Sequence, residues 1–158
     1  MDEKSIKWSE MERRMNRLTG KFDHTIDAKG RFIVPSKFRE DLGDSFTVTI
    51  GLDGCLYIFP ENGWDKFTEQ LEQLNGTKEN RTVKRTFLAN AASCDIDKQG
   101  RTLIPANLRE WAGIDKDIVM VGLLNKIELW SKERFEASNS IENIDEMAEN
   151  LANLGITF

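Results

Sequence analysis

An internal repeat at an offset of seventy residues limits what this chain can fold into more than anything else in it. When residues 26–43 are laid on 96–113 without a gap, Ile26/Ile96, Asp27/Asp97, Gly30/Gly100, Arg31/Arg101, Pro35/Pro105, Arg39/Arg109, Glu40/Glu110 and Gly43/Gly113 are identical. That is eight matches in eighteen positions, where ordinary residue frequencies give about one by chance. After one inserted residue the similarity resumes, so that Gly51-Leu52 meets Gly122-Leu123 and Leu56-Tyr57-Ile58-Phe59 meets Ile127-Glu128-Leu129-Trp130. Two tandem copies of one unit therefore fill most of the length.

At the head of each copy stands a pentad, Asp27-Ala28-Lys29-Gly30-Arg31 and Asp97-Lys98-Gln99-Gly100-Arg101. Phe22 and Ile26 precede the first, and Phe32, Ile33 and Val34 follow it. Apolar, strand-like flanks make the pentad a hairpin loop, with residues 21–34 as the first hairpin. Asp at the first turn position can accept hydrogen bonds from backbone N–H groups just ahead of it, and Gly at the fourth can take the left-handed conformation. Those two residues need only a structural explanation. A turn makes no demand for a guanidinium, however, and an arginine repeated at each loop rim offers a rigid fork of donors suited to phosphate oxygens and guanine edges. The plainer alternative, an Arg that pairs with its own Asp to brace the loop, is compatible with that role.

Downstream of each loop, Pro35 and Gly43 bound a two-turn helix that buries Phe38 and Leu42 and leaves Lys37, Arg39 and Glu40 nearer solvent; Pro105, Leu108, Ala112 and Gly113 repeat it. Phe46, Val48 and Ile50 alternate as a half-buried strand, Asp53-Gly54 supplies a tight turn, and Leu56–Phe59 returns, with Ile118–Val121 and Ile127–Trp130 as counterparts. Between the copies, Trp64, Phe67, Leu71 and Leu74 share one stripe of a helix over 61–75. Thr77 caps another, whose inner face is Val83, Phe87, Leu88 and Ala91. Its outer face carries Lys78, Arg81, Lys84 and Arg85, a solvated basic face by the usual meaning of such runs or an auxiliary DNA contact. At the end of the chain, Ile141, Ile144, Ala148, Leu151 and Leu154 have helical spacing, with an Asn139/Glu142 capping pair and Gly155 as a stop. This terminal helix is most simply a cover for the core, and could also dock on a neighbouring subunit. At the start, Trp8, Met11, Met15 and Leu18 suit a short amphipathic helix, a disordered leader, or an upstream addition with Met15 as the real beginning. The organisation is thus an extension over 1–20, helical or disordered, a first repeat over 21–62, linking helices over 63–90, a second repeat over 91–134, and a terminal helix over 135–158.

Charge and chemistry narrow the function. The net charge is −5, which by itself argues against nucleic acid, but residues 133–158 hold six acidic side chains against Arg134 and account for all of it. The remaining 132 residues balance at 21 against 21, so a local basic surface can coexist with an acidic tail. With no run of eighteen apolar residues and no apolar leader, the reading is a cytoplasmic globular protein without a membrane partner. Cys55 and Cys94 lie in apolar settings and His24 is the single histidine, so buried free thiols are expected, with no metal and no cofactor. No nucleophile, P-loop or dinucleotide motif occurs. Asp27 and Asp97 could pair as hydrolase carboxylates, but each sits where a turn wants an Asp, so no enzyme activity or small-molecule substrate is expected.

The ordered pair of Asp-x-x-Gly-Arg loops, each followed by apolar-Pro-x-x-apolar-Arg-Glu and a glycine, together with Val119-Met120-Val121-Gly122 and Ile127–Trp130, resembles the MraZ family of bacterial transcriptional regulators, built of two tandem AbrB-like units. The match covers roughly residues 21–135. The resemblance implies a mainly β fold with helices, a swapped-hairpin, double-split barrel made by the two repeats. It also implies a ring-shaped homo-oligomer, nucleoid association, and double-stranded DNA as partner, through repeated G-rich boxes upstream of a division and cell-wall gene cluster that includes the regulator's own gene. The loops are the DNA-contacting elements of that family, so the role carries to Arg31 and Arg101, with Lys29 and Lys98 as loop-tip neighbours and Asp27, Gly30, Asp97 and Gly100 as loop structure. Residues 1–14 depart from the family pattern, whose members begin just before the first strand. Two other readings stand beside it: an AbrB-like antitoxin holding a toxin with its C-terminal segment, and a structural interaction module whose loops bind protein.

Overall fold

The computed structural model describes residues 17–157; of the helical stripe expected over Trp8, Met11, Met15 and Leu18, the first three lie outside them, and Leu18 is corrected to the buried first residue of a strand paired with Leu124. Eight strands and six helices follow in order among the described residues. In the first repeat these are β1 (Leu18–Thr25), β2 (Arg31–Ile33), α1 (Ser36–Leu42), β3 (Ser45–Ile50) and β4 (Leu56–Pro60). Two linking helices follow, α2 (Glu61–Glu72) and α3 (Lys78–Ala89). The second repeat supplies β5 (Ala92–Asp95), β6 (Arg101–Leu103), α4 (Ala106–Trp111), β7 (Asp117–Leu124) and β8 (Ile127–Ser131), and then come α5 (Lys132–Ser138) and α6 (Ile144–Asn153).

The strands exchange partners between the repeats. Six form an antiparallel sheet in the order β1-β7-β8-β4-β3-β5, and β2 and β6 form a separate two-stranded ribbon. β1 of the first repeat pairs along its whole length with β7 of the second, while β5 of the second pairs with β3 of the first. The expected local hairpin over 21–34 is thus corrected: the pentad turns the chain, but the strands it joins leave for different sheets. A run of alternating apolar residues specifies a pleated, half-buried strand and says nothing about its neighbour. The tight Asp53-Gly54 turn is as expected, with φ of 64° and 90°, and sets the β3–β4 register from Ile50↔Leu56 to Phe46↔Pro60.

The main core lies between the six-stranded sheet and a cover made by the ribbon with α1 and α4. Phe32, Val34, Phe38, Leu42, Ile104, Leu108 and Ala112 meet Phe46, Val48, Leu56, Ile58, Ile118, Met120 and Leu129 there. Both short helices bury the faces expected of them, and Gly43 and Gly113 end them at φ of 74° and 67°. The sheet's opposite face carries a second cluster, Cys55, Tyr57, Phe59, Val119 and Trp130, packed against Trp64, Phe67 and Phe135. Hence every residue of β4 is buried, since alternate side chains enter different cores. Both thiols are buried, as expected, and desolvation pushes Cys55 up to about 12 and Cys94 up to about 11.

The helices outside this sandwich differ from expectation in detail. Phe67 stacks on Phe59 at 5.0 Å and Phe87 meets Phe67 edge-on at 5.3 Å. Thr77 caps α3 as expected, its Oγ1 accepting from Asn80 N. Leu74, however, lies beyond the end of α2 and stays exposed, and Val83 and Leu88 stay exposed because α3 leans on the sheet through Phe87 and through the Thr49 hydroxyl donating to the Phe87 carbonyl at 2.7 Å. At the end of the chain, Asn139 closes α5 in place of opening a terminal helix, so α6 starts at Ile144 and the expected Asn139/Glu142 cap does not form. Gly155 stops α6 at φ 82°. None of α6 is buried, with Ile144 54% and Met147 60% exposed, so it does not cover the core of its own chain.

Candidate nucleic-acid interface

Each pentad is closed by its aspartate. Asp27 Oδ1 accepts from the backbone N–H of Lys29 and of Arg31, both at 2.9 Å, and Asp27 Oδ2 accepts from Arg31 Nε at 3.1 Å. The second loop repeats this atom for atom: Asp97 Oδ1 takes the N–H of Gln99 and Arg101 at 2.9 and 2.8 Å, and Oδ2 takes Arg101 Nε at 3.0 Å. Gly30 N and Gly100 N donate back to the Asp27 and Asp97 carbonyls, and φ of 91° and 81° at the two glycines closes the turns. The backbone N–H of Arg31 chiefly, with the Arg31 guanidinium and the Lys29 N–H, holds the Asp27 carboxyl below its ordinary value; Arg101 and Gln99 do the same for Asp97. The bracing arginine weighed from sequence is therefore present, and it leaves the other function open. Only Nε is engaged among the described residues, so the Nη edge of each half-exposed guanidinium faces outward.

The loops also hold each other. Val34 N donates to Gly100 O at 2.8 Å and Ile104 N to Gly30 O at 2.9 Å, extending the ribbon into the opposite loop. Beneath each glycine lies the arginine of the other repeat's helix. A Cβ on Gly30 would lie 2.6 Å from Arg109 Cζ and 2.8 Å from the Ile104 carbonyl oxygen, and one on Gly100 would collide with the Arg39 guanidinium. Those arginines are fixed in turn, Arg39 Nε donating to Val34 O at 2.8 Å and Arg109 Nε to Ile104 O at 2.9 Å. Arg39, expected nearer solvent, is half-buried for this reason. The repeat alignment contained the signal, two matched arginines eight positions after the loop arginines, but not the loop each one supports.

The ribbon register brings the two sites together. Arg31 lies opposite Leu103, Phe32 opposite Thr102 and Ile33 opposite Arg101. Phe32 and Thr102 point into the core, so Arg31, Ile33, Arg101 and Leu103 share the outer face, with the two arginines on one diagonal about 7–8 Å apart at the backbone. Lys29 and Lys98 are exposed at the loop tips. The basic cluster of α3 is not brought to this surface. Lys78, Arg81 and Arg85 are exposed and Lys84 is half-buried, Arg81 Nη1 donates to the Gly76 carbonyl, and the helix packs on the sheet face opposite the ribbon.

Comparison with known proteins bears on this arrangement directly. The family model described as "MraZ protein, putative antitoxin-like" matches twice, over residues 18–86 and 87–153. The chain belongs to the MraZ family. The "Transcriptional regulator MraZ" of Lachnoclostridium phytofermentans is 59% identical over 139 residues, covering 88% of this chain and 98% of that protein. The protein of the same name from a Thermoanaerobacter species is 49% identical over 142 residues, 88% of this chain and 99% of its own length. The Pediococcus pentosaceus MraZ is 46% identical over 140 residues, 87% and 98%. These relatives are named as regulators of transcription and not as enzymes. The two matched MraZ domains are the two copies of the strand-exchanged unit, so each family domain contributes one loop to the shared ribbon.

Proposed function

We propose that this member of the MraZ family is a cytoplasmic, nucleoid-associated transcriptional regulator that binds double-stranded DNA at repeated G-rich boxes upstream of a division and cell-wall gene cluster, including its own gene. The observation that carries this reading is the pair of cross-braced loops, which set two outward-facing guanidiniums on one exposed ribbon face. Bracing through Nε fixes each fork before DNA arrives, so little side-chain freedom is lost on contact. Arg31 and Arg101 meet guanine edges or phosphates, and Lys29 and Lys98 add charge at the rims.

One such face offers few contacts, and a homo-oligomeric ring multiplies them, gaining avidity where the boxes recur at a spacing it can span. The exposed apolar side of α6, with Ile144, Met147 and Leu154, suits burial against another subunit. Titration on the upstream fragment at several salt concentrations, beside light scattering, tests both parts. The expected results are a steep linear fall of log K with log salt and a mass several times 18.1 kDa. A salt-independent affinity or a monomeric mass at micromolar concentration would contradict them.

A further inference from the structure

The outer face of the β2–β6 ribbon is unusual in what stands between its arginines. Ile33 is 48% exposed and Leu103 49% exposed, although both lie on the face turned away from the core. A solvated strand face ordinarily alternates to polar residues. Here the positions matched in the two repeats are both aliphatic, on the diagonal that Arg31 and Arg101 do not occupy. Each aliphatic residue lies directly across from an arginine, Leu103 from Arg31 and Ile33 from Arg101, and with the guanidiniums drawn toward Asp27 and Asp97 the aliphatic side chains stand exposed beside them. A two-stranded ribbon is narrow enough to enter a major groove about 12 Å wide, and the apolar mark in that groove is the thymine C5 methyl group.

We propose that Ile33 and Leu103 are specificity-determining residues that read thymine methyls while the arginine forks hold guanine edges or phosphates on either side. The inference rests on the DNA-binding reading above and deepens it. In this arrangement the loops supply charge and the aliphatic pair supplies discrimination by shape, so that a thymine beside a contacted guanine binds better than a cytosine there.

The test exchanges thymine for deoxyuridine throughout the upstream fragment, which removes the methyl groups and needs no change to the protein. The parent chain should bind the thymine duplex about fourfold more tightly for each methyl it covers, the equivalent of burying one apolar carbon. The exposed pair can be trimmed without opening the core. The Ile33→Ala/Leu103→Ala variant should therefore melt like the parent, bind both duplexes alike, and fall to about the parent's affinity for the deoxyuridine duplex. Tight, salt-dependent binding of both duplexes with equal affinity by the parent would overturn the methyl contact while leaving DNA binding intact. Full discrimination retained by the double variant would overturn the assignment to these two side chains. Failure of the parent to prefer either form over an unrelated duplex would overturn the DNA reading itself.

Discussion

The two loops of the ribbon share some positions and differ at others, and the division between them is informative. The shared residues have structural tasks: Asp27 and Asp97 collect backbone N–H groups, Gly30 and Gly100 take positive φ, and Arg39 and Arg109 lie under the opposite glycine. Pro35 and Pro105 stand as the N-caps of α1 and α4, which Gly43 and Gly113 end. The residues that differ fall in two groups: Ala28-Lys29 against Lys98-Gln99 and Ile33 against Leu103 are exposed, while Phe32 against Thr102 and Val34 against Ile104 are buried. The repeat thus preserved the turns and the arginines that brace them, and let both the surface around them and the core beneath diverge. Nothing in the structure explains the match between Glu40 and Glu110, which are both exposed.

The loops should behave most alike, and show the largest losses, at their glycines. Both are in the left-handed region, where a side chain is strained, and at each a Cβ would run into the guanidinium of the other repeat's helix, which is itself held by a backbone carbonyl. Gly30→Ala and Gly100→Ala should therefore each cost on the order of 2–3 kcal/mol. Valine at either position should cost more again, and an unchanged melting temperature in either alanine variant would show that its loop is not held as described.

Next come the supporting arginines. Arg39→Ala and Arg109→Ala each remove a charged donor from a buried carbonyl, for about 1.5–3 kcal/mol in thermal melts. The loss should be largely independent of salt, in contrast to Arg31→Ala and Arg101→Ala, which on the proposed reading should spare stability and weaken DNA binding. If Arg39→Ala left stability unchanged, the matched arginines would need another explanation.

Smaller still is a pH effect that should appear equally in both loops. The carboxyls of Asp27 and Asp97 are depressed in the folded chain, so the order they confer is complete above the ordinary aspartate value of about 3.9 and is lost as pH falls through the lower folded value. Amide exchange at Lys29 and Arg31, and at Gln99 and Arg101, should accelerate relative to the core only below about pH 4. Asp27→Asn should show the faster exchange already at neutral pH in the first loop alone. The smallest difference concerns the tips: Lys29→Ala should flatten the slope of log K against log salt by roughly 0.9 for each phosphate left without its lysine, and Gln99→Ala should leave it unchanged.

Much of this was legible in the sequence because the repeat names its own turns. Pro35 and Gly43, Asp27 and Gly30, and Asp53 and Gly54 each impose a local geometry that few residue types satisfy, and the alignment supplied the first two pairs a second time. What the sequence withheld was partnership. β1 has the pattern of a strand whether it pairs with β2 or, as here, with β7, and Arg39 reads as a solvent-facing helix residue until the opposite loop is laid over it. The outward Ile33 and Leu103 were hidden for the same reason, since an aliphatic residue beside Phe32 or Ile104 is indistinguishable from core by composition. At α3, helical spacing promised an inner face over Val83 and Leu88 that only Phe87 delivers.

If the two braced arginines act on DNA and not on folding, the decisive measurement is on the Arg31→Ala/Arg101→Ala variant, followed for melting temperature, assembly mass and affinity for the upstream boxes across a salt series. The expected result is a chain that melts within a few degrees of the parent and keeps its assembly. Its affinity falls by at least about tenfold, with a shallower salt slope where the arginines met phosphates, or a loss in discrimination of about 1–3 kcal/mol where they met guanines. A double variant that stays folded and assembled and binds the boxes as tightly as the parent at every salt concentration would contradict it.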